Sequence, residues 1–201
     1  MKLLIATRNP GKLKEIRTAL NLNQDMVKSS LDYPNIPEVI EDKETLEGNA
    51  IKKATEMSLA TGCWALSDDS GLEVDALDGA PGVYSARYAG ENCSYEDNNK
   101  KLIDTLNGIK NRTAKFRTVL ALVNLVGDVR IVEGCCSGVI IDKPRGIKGF
   151  GYDPIFIPNG YSMTYAEMNI KEKNNISHRG KALNKALEKW GFVLSQFNNI
   201  N

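Results

Sequence analysis

Two adjacent carboxylates, in Ser67-Asp68-Asp69-Ser70-Gly71, are the residues of this sequence whose types and spacing most directly suggest chemistry. The apolar run before them and the glycine after them predict a short buried strand that ends in a turn. Because ligands bind at the carboxyl ends of strands in open α/β sheets, we expect at least one carboxylate to face a ligand. Adjacent acids repel, and a divalent cation is the usual neutraliser. The alternative is a solvated acidic turn, which is the commoner setting of an isolated acidic pair.

A second candidate site is the loop Thr7–Lys12, between an apolar run at residues 2–6 and a helix predicted to reach Leu22. A strand, a polar loop with glycine and then a helix is the order that presents backbone N–H groups to phosphate. Arg8 and Lys12 add positive charge to this loop. The spacing fits neither the Walker A motif nor the dinucleotide fingerprint, so an ordinary turn remains the alternative.

The next helix is predicted from its cap at Thr45 to Thr61, with Gly62 as its stop. Asn49 and Lys53 lie one turn apart and share a face of this helix. Such a pair suits contact with phosphate, and it equally suits an ordinary solvated face. The helix is preceded by an acidic stretch that contains Glu38, Glu41, Asp42 and Glu44.

The second half of the chain contains a predicted hairpin, because apolar segments at residues 114–126 and 129–141 flank Gly127-Asp128. The sheet is therefore expected to be partly antiparallel. Further on, Gly149–Pro154 combines glycines with two aromatic residues and one acid. Aromatic rings beside glycines suit stacking on a purine, and a packed turn is the alternative.

The last helix is predicted to start after Ser177 as its N-cap and to end at Gly191. His178, the single histidine of the chain, and Arg179 then lie in its first turn. A short helix is also expected at residues 164–168.

Composition limits the classes of function. The 201 residues suit one domain, and 26 basic against 25 acidic side chains give a net charge of +1, which does not favour a broad nucleic-acid surface. No run of 18 apolar residues is present, and the apolar N-terminal stretch is too short for a signal peptide, so we expect a cytoplasmic protein without membrane contact. The four cysteines lack metal-ligand spacing, and reduced thiols are expected.

Six segments, taken in series, resemble the inosine triphosphate pyrophosphatase family, also described as xanthosine/deoxyinosine triphosphate diphosphatases. Each segment is a weak signal alone, whereas six in the right order are specific and cover nearly the whole chain. The segments are residues 6–12, 45–50 with Lys53, 67–72, 79–88, 149–156 and 176–180.

The resemblance implies a fold and an activity. The implied fold is mixed α/β: one domain over residues 1–201, with a long twisted mixed central sheet, flanking helices and two lobes around a nucleotide cleft. Family members are usually homodimers. They hydrolyse the deaminated purine nucleotides ITP, dITP and XTP to the monophosphate and pyrophosphate with Mg²⁺, which cleanses the nucleotide pool.

The resemblance also implies roles for residues at matching positions. The resemblance implies that Asp69 is the general base and that Asp69 and Glu41 are the metal ligands. Asp68 and Ser70 flank that site, and Lys53 assists it. The implied triphosphate-binding residues are Thr7, Arg8, Asn9, Pro10, Gly11 and Lys12, with Asn49 and Lys53 assisting. The implied nucleoside pocket consists of Phe150, Gly151, Tyr152, Asp153, Lys173, His178 and Arg179.

Two positions depart from the family pattern. The family commonly has an acid where this chain has Gly48, and a glycine where it has Lys43. Both positions lie close to Glu41 in the chain, so Glu38 or Glu44 could be the second metal ligand instead.

Parts of the sequence also suggest three other functions. A pyrophosphatase of the same fold could act on pyrimidine or other modified nucleotides, as the septum-inhibitor-like proteins do. A nucleotide sensor without turnover should lack one of Asp68, Asp69 or Lys53, and all three are present. A single-stranded RNA binder could use Phe150 and Tyr152, but the net charge of +1 argues against it.

Overall fold

Two hydrophobic cores form in this chain, one in each of two units. A computed structural model describes residues 2–23 and 25–197. The first unit takes in Met1–Asp69, Thr118–Gly134 and Arg179–Asn201, and the second takes in Ser70–Arg117 and Cys135–His178. The core of the first unit is built around Leu3, Ile5, Leu66 and Trp190, and that of the second unit around Leu72, Phe116, Phe156 and Tyr165.

The sheet is mixed, as the sequence predicts. Its strands are β1 (Leu3–Ile5), β2 (Val27–Ser29), β3 (Trp64–Val74), β4 (Pro81–Gly82), β5 (Thr113–Val123), β6 (Val129–Ile140) and β7 (Phe156–Pro158). Their order is β2-β1-β3-β5-β6-β7, and β4 pairs with β3 outside this path. β1 runs parallel to β2 and β3, whereas β4 is antiparallel to β3 and β7 is antiparallel to β6.

Five α-helices occur in the described part of the chain, and polar caps begin most of them. They are α1 (Pro10–Leu20), α2 (Leu46–Thr61), α3 (Tyr95–Thr105), α4 (Ile170–Ile176) and α5 (His178–Leu194). The caps of α1 to α4 are Asn9, Thr45, Ser94 and Asn169, and each side chain accepts a backbone N–H of the first turn. These caps satisfy donors that have no partner within a helix. The predicted bounds of α2 are confirmed.

The predicted hairpin is confirmed. β5 and β6 are neighbours in the sheet, and the link at residues 124–128 is closed by a hydrogen bond from the Asn124 N–H to the Asp128 carbonyl at 3.2 Å. β5 and β6, like β3, each begin in one unit and end in the other.

The predicted turn at Ser67–Gly71 is wrong, because β3 continues through the acidic pair to Val74. Both acids are buried within the strand, and cationic side chains neutralise them there. A turn into solvent is therefore not needed. Beyond the pair the strand gains a new partner, since Leu72 lies opposite Gly82 of β4.

The predicted start of the last helix is confirmed, since α5 begins at His178, directly after Ser177. Ser177 is at the same time the C-cap of a separate helix, α4, that precedes it. Two other predictions for the C-terminal part are wrong. The last helix does not end at Gly191 but continues to Leu194. A glycine inside a helix costs only about 1 kcal/mol, and burial of Val193 and Leu194 beyond it favours continuation. Residues 164–168 form turns and not the expected short helix.

Strand register places the predicted phosphate loop beside the acidic pair. Ile5 lies opposite Leu66, and the Ala6 N–H donates to the Leu66 carbonyl at 2.7 Å. Since β1 and β3 are parallel, the loop that leaves β1 passes next to the residues that follow Leu66. Within the described ranges, no helix combines the length and the apolar character needed to cross a membrane.

Candidate active site

The acidic pair lies in the middle of β3, where two neighbouring residues are directed to opposite faces of the sheet. Asp68 and Asp69 are 1% and 5% exposed, so each needs compensation for its charge. The two carboxylates are compensated to different degrees, which gives them different protonation behaviour.

Asp68 is held by two cations. Arg179 donates to its Oδ2 from Nε at 3.1 Å and from Nη2 at 2.9 Å, and Lys12 Nζ lies 3.2 Å from the same oxygen. Arg179 also bonds to the buried carboxylate of Glu15. Burial alone would raise the pKa of Asp68, but the charges of Lys12, Arg179 and Lys53 outweigh it and lower the pKa below its ordinary value. Asp68 is therefore a fixed negative charge.

Asp69 is much less compensated. Its closest cation is Lys53, whose Nζ lies 3.8 Å from Oδ1 and is hydrogen-bonded to Glu41. Burial, together with the negative charges of Glu41 and Asp68, raises the pKa of Asp69 to about 6, against the attraction of Lys53 and Lys12. A carboxylate with such a pKa is suited to accept a proton near neutral pH.

The residues around Asp69 fit a divalent cation. Its second oxygen, Oδ2, is buried, and no group among residues 2–23 and 25–197 donates a hydrogen bond to it. In the same part of the chain, no three His, Cys, Asp or Glu side chains are grouped to enclose a metal. Asp69 and Glu41, which share Lys53, could together hold a divalent cation such as Mg²⁺, completed by water and phosphate oxygens.

Among the acidic residues before α2, Glu41 is the best placed to be the second metal ligand. Its carboxylate shares Lys53 with Asp69, whereas Glu38 and Glu44 are exposed. Burial opposes its charge, but Lys53 and Lys12 lower the pKa of Glu41 below its ordinary value.

The backbone of the acidic loop is held by α2. Asn49, buried on the first turn of α2, accepts from the Lys43 N–H at 2.9 Å. The Lys43 side chain packs on Gly48, where an added Cβ would lie 2.9 Å from Lys43 Cβ. The two positions that depart from the family pattern are therefore in contact. Asn49 thus holds the loop that carries Glu41.

The predicted phosphate loop forms the N-terminus of α1. Asn9 caps the helix, and its Oδ1 accepts from the Gly11 N–H at 2.9 Å and the Lys12 N–H at 3.1 Å. Thr7 Oγ1 in turn accepts from the Asn9 N–H at 3.1 Å. Pro10 occupies the first helical position. The side-chain cap thus engages two of the N–H groups that the sequence suggested for phosphate, and Lys12 is the cation that the loop directs to Asp68.

Arg8 and Ser70 are next to other residues of the candidate site, Arg8 in the predicted phosphate loop and Ser70 in β3. The Arg8 guanidinium donates to the Ile36 carbonyl, which ties the loop to the segment after β2. Ser70 follows Asp69 in β3 and is half-buried at the start of the second unit.

Several predicted nucleoside residues come together within the second unit. Lys173 donates to Asp153 Oδ2 at 2.6 Å, and the Phe150 N–H donates to the same oxygen at 2.9 Å. The Lys173 ammonium also lies 4.9 Å from the centre of the Phe150 ring. These contacts fix a half-buried aromatic ring beside a lysine, an arrangement that can stack on a flat base and donate to it.

Gly149 makes this arrangement possible. Its φ is +75°, and an added Cβ would lie 2.0 Å from Asp153 Oδ2. No other residue type fits there without displacing the carboxylate that Phe150 and Lys173 share.

Tyr152 and Gly151 have supporting positions. The Tyr152 hydroxyl donates to the Ser85 carbonyl at 2.9 Å, and burial raises the pKa of this phenol. The Gly151 carbonyl accepts from Asn99 Nδ2 at 3.0 Å. Both residues anchor the glycine-rich segment to the second unit.

His178 and Arg179 have separate surroundings although they are adjacent. The His178 imidazole stacks on Phe116 in the second unit, with ring centroids 4.5 Å apart. Arg179 is 1% exposed and belongs to the carboxylate network of the first unit. Its guanidinium therefore positions Asp68, a role that differs from the base contact suggested by the sequence.

Three residues of the site were not predicted from the sequence: Glu15, Phe116 and Gly149. Glu15 carried a signal, because it is a charged residue beside Leu13 and Ile16 on the buried face of α1. Gly149 lay within the glycine-rich segment. Phe116 had no distinguishing signal, since one aromatic residue in a strand ordinarily indicates core packing.

Comparison with known proteins identifies the family of the chain. The sequence model of the Ham1 family matches residues 3–189. The chain belongs to the Ham1 family. A relative from Desulforamulus reducens named dITP/XTP pyrophosphatase is 50% identical and covers 94% of this chain and 94% of that protein. A relative of the same name from Exiguobacterium sp. is 52% identical over 92% of this chain and 94% of its own.

Among solved structures, a HAM1 protein from Coxiella burnetii superposes with a TM-score of 0.84 at 38% identity. It covers 98% of this chain and 99% of its own. The predicted family and the mixed α/β fold are thereby confirmed.

Proposed function

We propose that this chain hydrolyses deaminated purine nucleoside triphosphates (dITP, XTP and ITP) to the nucleoside monophosphate and pyrophosphate, and so cleanses the nucleotide pool. The observation that carries the proposal is the 50% identity, over 94% of both chains, to a Ham1 relative named dITP/XTP pyrophosphatase. The site described above supplies groups suited to each part of this reaction.

Positive charge for the triphosphate comes from the first unit. Lys12 lies in the first turn of α1 and contacts Asp68, and Lys53 lies on α2 and contacts Glu41 and Asp69. Burial disfavours the ammonium of Lys53, yet the charges of Asp69, Glu41 and Asp68 raise its pKa, so it stays positive. Both lysines can therefore hold phosphate oxygens.

Asp69 is the group best suited to activate water. Its pKa of about 6 leaves it mainly ionised at neutral pH and able to take up a proton. Asp68, fixed as an anion by Arg179 and Lys12, holds the Lys12 side chain in place. When bound by Asp69 and Glu41, Mg²⁺ would offset phosphate charge and polarise the scissile bond.

Base recognition is assigned to the second unit. Phe150 provides a ring for stacking, and Lys173 and His178 provide donors that match the 6-oxo group of hypoxanthine and xanthine. Adenine carries an amino donor at this position, so its binding would leave buried donors unpaired.

The experiment that tests the proposal is a panel of ITP, XTP, dITP, ATP, GTP and pyrimidine triphosphates, incubated with Mg²⁺ or with EDTA. We expect ITP, XTP and dITP to give monophosphate and pyrophosphate with Mg²⁺ and no turnover in EDTA. Orthophosphate with a diphosphate as products would contradict the proposed bond cleavage. Preference for pyrimidine or other modified nucleotides would support the alternative pyrophosphatase of the same fold.

We also propose that the protein acts in the cytoplasm as a homodimer. The location follows from the proposed substrate, which belongs to the cellular nucleotide pool. Sedimentation equilibrium that yields the mass of one chain, 22.1 kDa, would contradict the dimer.

A further inference from the structure

We infer that Phe116 is a positioning residue for base selection, because its ring holds the imidazole of His178 in one orientation. The inference rests on the proposed function, and it adds to it a residue that neither contacts phosphate nor belongs to the polar groups of the nucleoside site.

The contact between the two rings is close and nearly parallel. Their centroids lie 4.5 Å apart and their planes differ by 10°. The ring torsion of a histidine is broad, so packing against its face fixes the plane of the ring and limits the directions that its two nitrogens can take. Because both residues are buried, at 7% and 4% exposure, solvent does not compete for the face that Phe116 covers.

Phe116 is itself fixed by other rings. Phe156 meets it edge-on at 4.8 Å, and Tyr165 lies stacked beside it at 5.9 Å. Tyr165 also contacts the His178 ring at 6.1 Å, and the Lys173 ammonium lies 5.4 Å from its centre. One aromatic layer, formed by Phe116 and Tyr165, thus supports the two side chains that we assign as donors to the base.

A fixed imidazole affects the discrimination between purines with a 6-oxo group and purines with a 6-amino group. A donor discriminates between an oxo and an amino group only if its N–H is held in a fixed direction, since a mobile ring can turn the mismatched nitrogen away. Leucine at position 116 would fill much of the volume but present no flat face, so the imidazole would adopt further orientations. Affinity for the oxo base should then fall, while the phosphate chemistry of the first unit is retained.

The first measurement uses the unmodified protein. Because the chain has one histidine, the imidazole proton resonances in an NMR spectrum belong to His178 alone. A ring stacked on the face of Phe116 should shift these signals upfield from their free-histidine positions. Signals at the free-histidine positions would overturn the inference without the need for any variant.

The second measurement is the steady-state kinetics of Phe116→Leu with ITP and ATP. We expect the KM for ITP to rise by about threefold to tenfold, the range that loss of one aromatic pair produces. We expect kcat for ITP and kcat/KM for ATP to stay close to those of the unmodified protein, so that the preference for ITP declines. The His178 signals should move downfield in the same variant.

Phe156→Leu is the matched control, since it removes a buried ring from the same cluster that contacts Phe116 and Tyr165. It should lower the melting temperature as Phe116→Leu does but raise the KM for ITP clearly less, because Phe116 keeps Tyr165 as a neighbour and its flat face stays against the imidazole. Equal KM increases in the two variants would show a merely structural role and overturn the inference.

A double-variant cycle tests whether Phe116 acts through His178. In a His178→Ala background, Phe116→Leu should no longer raise the KM for ITP, and an undiminished increase would overturn the inference.

If the unmodified protein does not turn over ITP, the proposed function itself fails, and the role in selection fails with it. If it does turn over ITP but Phe116→Leu leaves the KM unchanged, only the present inference fails.

Discussion

Arg179 directs two hydrogen bonds to one oxygen of Asp68, from Nε at 3.1 Å and from Nη2 at 2.9 Å, while its third nitrogen bonds to Glu15. The first turn of α5, the middle of β3 and the first turns of α1 are therefore joined by one buried cation. Lys12 extends the same network, since its ammonium lies 3.2 Å from Asp68. The side chain expected to hold phosphate is thus positioned from three elements of the first unit.

Asp69→Asn should abolish most turnover without unfolding the protein. The substitution keeps the shape of the side chain but removes the charge that accepts a proton, and general base catalysis alone contributes about 10²- to 10⁴-fold. We expect kcat for ITP to fall at least 100-fold, about the lower limit of that range. Asp75→Asn, at an exposed acid just after β3, should leave kcat unchanged.

The stability of the same variant provides a second check. The pKa of Asp69, about 6 when folded, lies above its unfolded value of about 3.9, so its ionised form opposes folding at neutral pH. In EDTA at pH 7, Asp69→Asn should therefore unfold at a urea concentration no lower than the unmodified protein does. Near-normal kcat in this folded variant would exclude Asp69 as the base.

Arg179→Ala should strongly destabilise the first unit. Removal of one partner from a buried ion pair costs about 3–5 kcal/mol, because the remaining charges of Asp68 and Glu15 stay buried. Urea unfolding followed by circular dichroism measures this loss. Lys115→Ala breaks a partly exposed pair with Glu73 and should cost about 1 kcal/mol or less. A similar small loss for both variants would contradict the structural role of Arg179.

Acid should weaken the protein through Asp68. Since the folded pKa of this carboxyl lies below its unfolded value of about 3.9, its contribution to stability is fully present above that value and is lost as the pH falls below it. We expect urea midpoints in EDTA to decline below about pH 4. The Asp68→Asn variant should be less stable at pH 7, and its urea midpoint should decline less steeply as the pH falls. An unchanged decline of the midpoint with pH would assign the acid sensitivity to other groups.

Gly149→Ala should impair nucleotide binding more than stability. The new methyl group would occupy the position of Asp153 Oδ2, only 2.0 Å away, and so release both Lys173 and the Phe150 N–H. We expect the KM for ITP to rise about tenfold or more, as when a buried polar group loses its partner.

Gly160→Ala is the matched control for backbone strain. Gly160 also has a positive φ, +83°, but an added Cβ would meet nothing within 4 Å. Both variants should lose stability through strain, whereas only Gly149→Ala should raise the KM for ITP. Equal KM values in the two variants would show that the Asp153 contact is not needed for binding.

Much of the fold could be predicted from local sequence signals. Thr45 and Gly62 marked the ends of α2, and Gly127-Asp128 marked the hairpin, because caps and tight turns depend on a few neighbouring residues. β3 could not be predicted in full. Its acids can remain within a strand only because Lys12, Lys53 and Arg179 lie beside them, and these residues are distant in sequence.

The residues of the candidate site also divide into those that could be predicted from the sequence and those that could not. Asp69 and Lys53 were predicted as a group, and the structure brings them to 3.8 Å. The role of Arg179 could not be predicted, since its partner Glu15 lies 164 positions away. Phe116 could not be distinguished from an ordinary core residue until the stacked imidazole was placed on it. Sequence motifs thus predicted the residues that we propose to contact substrate better than the residues that hold them in place.

The contact between Lys43 and Gly48 limits how this loop can evolve. A Cβ at position 48 would lie 2.9 Å from Lys43 Cβ, so the acid that the family resemblance implies at this position can be introduced only with a shift of the loop. Replacement of Lys43 by glycine first would remove this contact, the shortest at position 48, whereas the reverse order passes through an intermediate with a displaced loop. The two positions are therefore coupled, and the order in which they are replaced decides whether the loop is strained at the intermediate step.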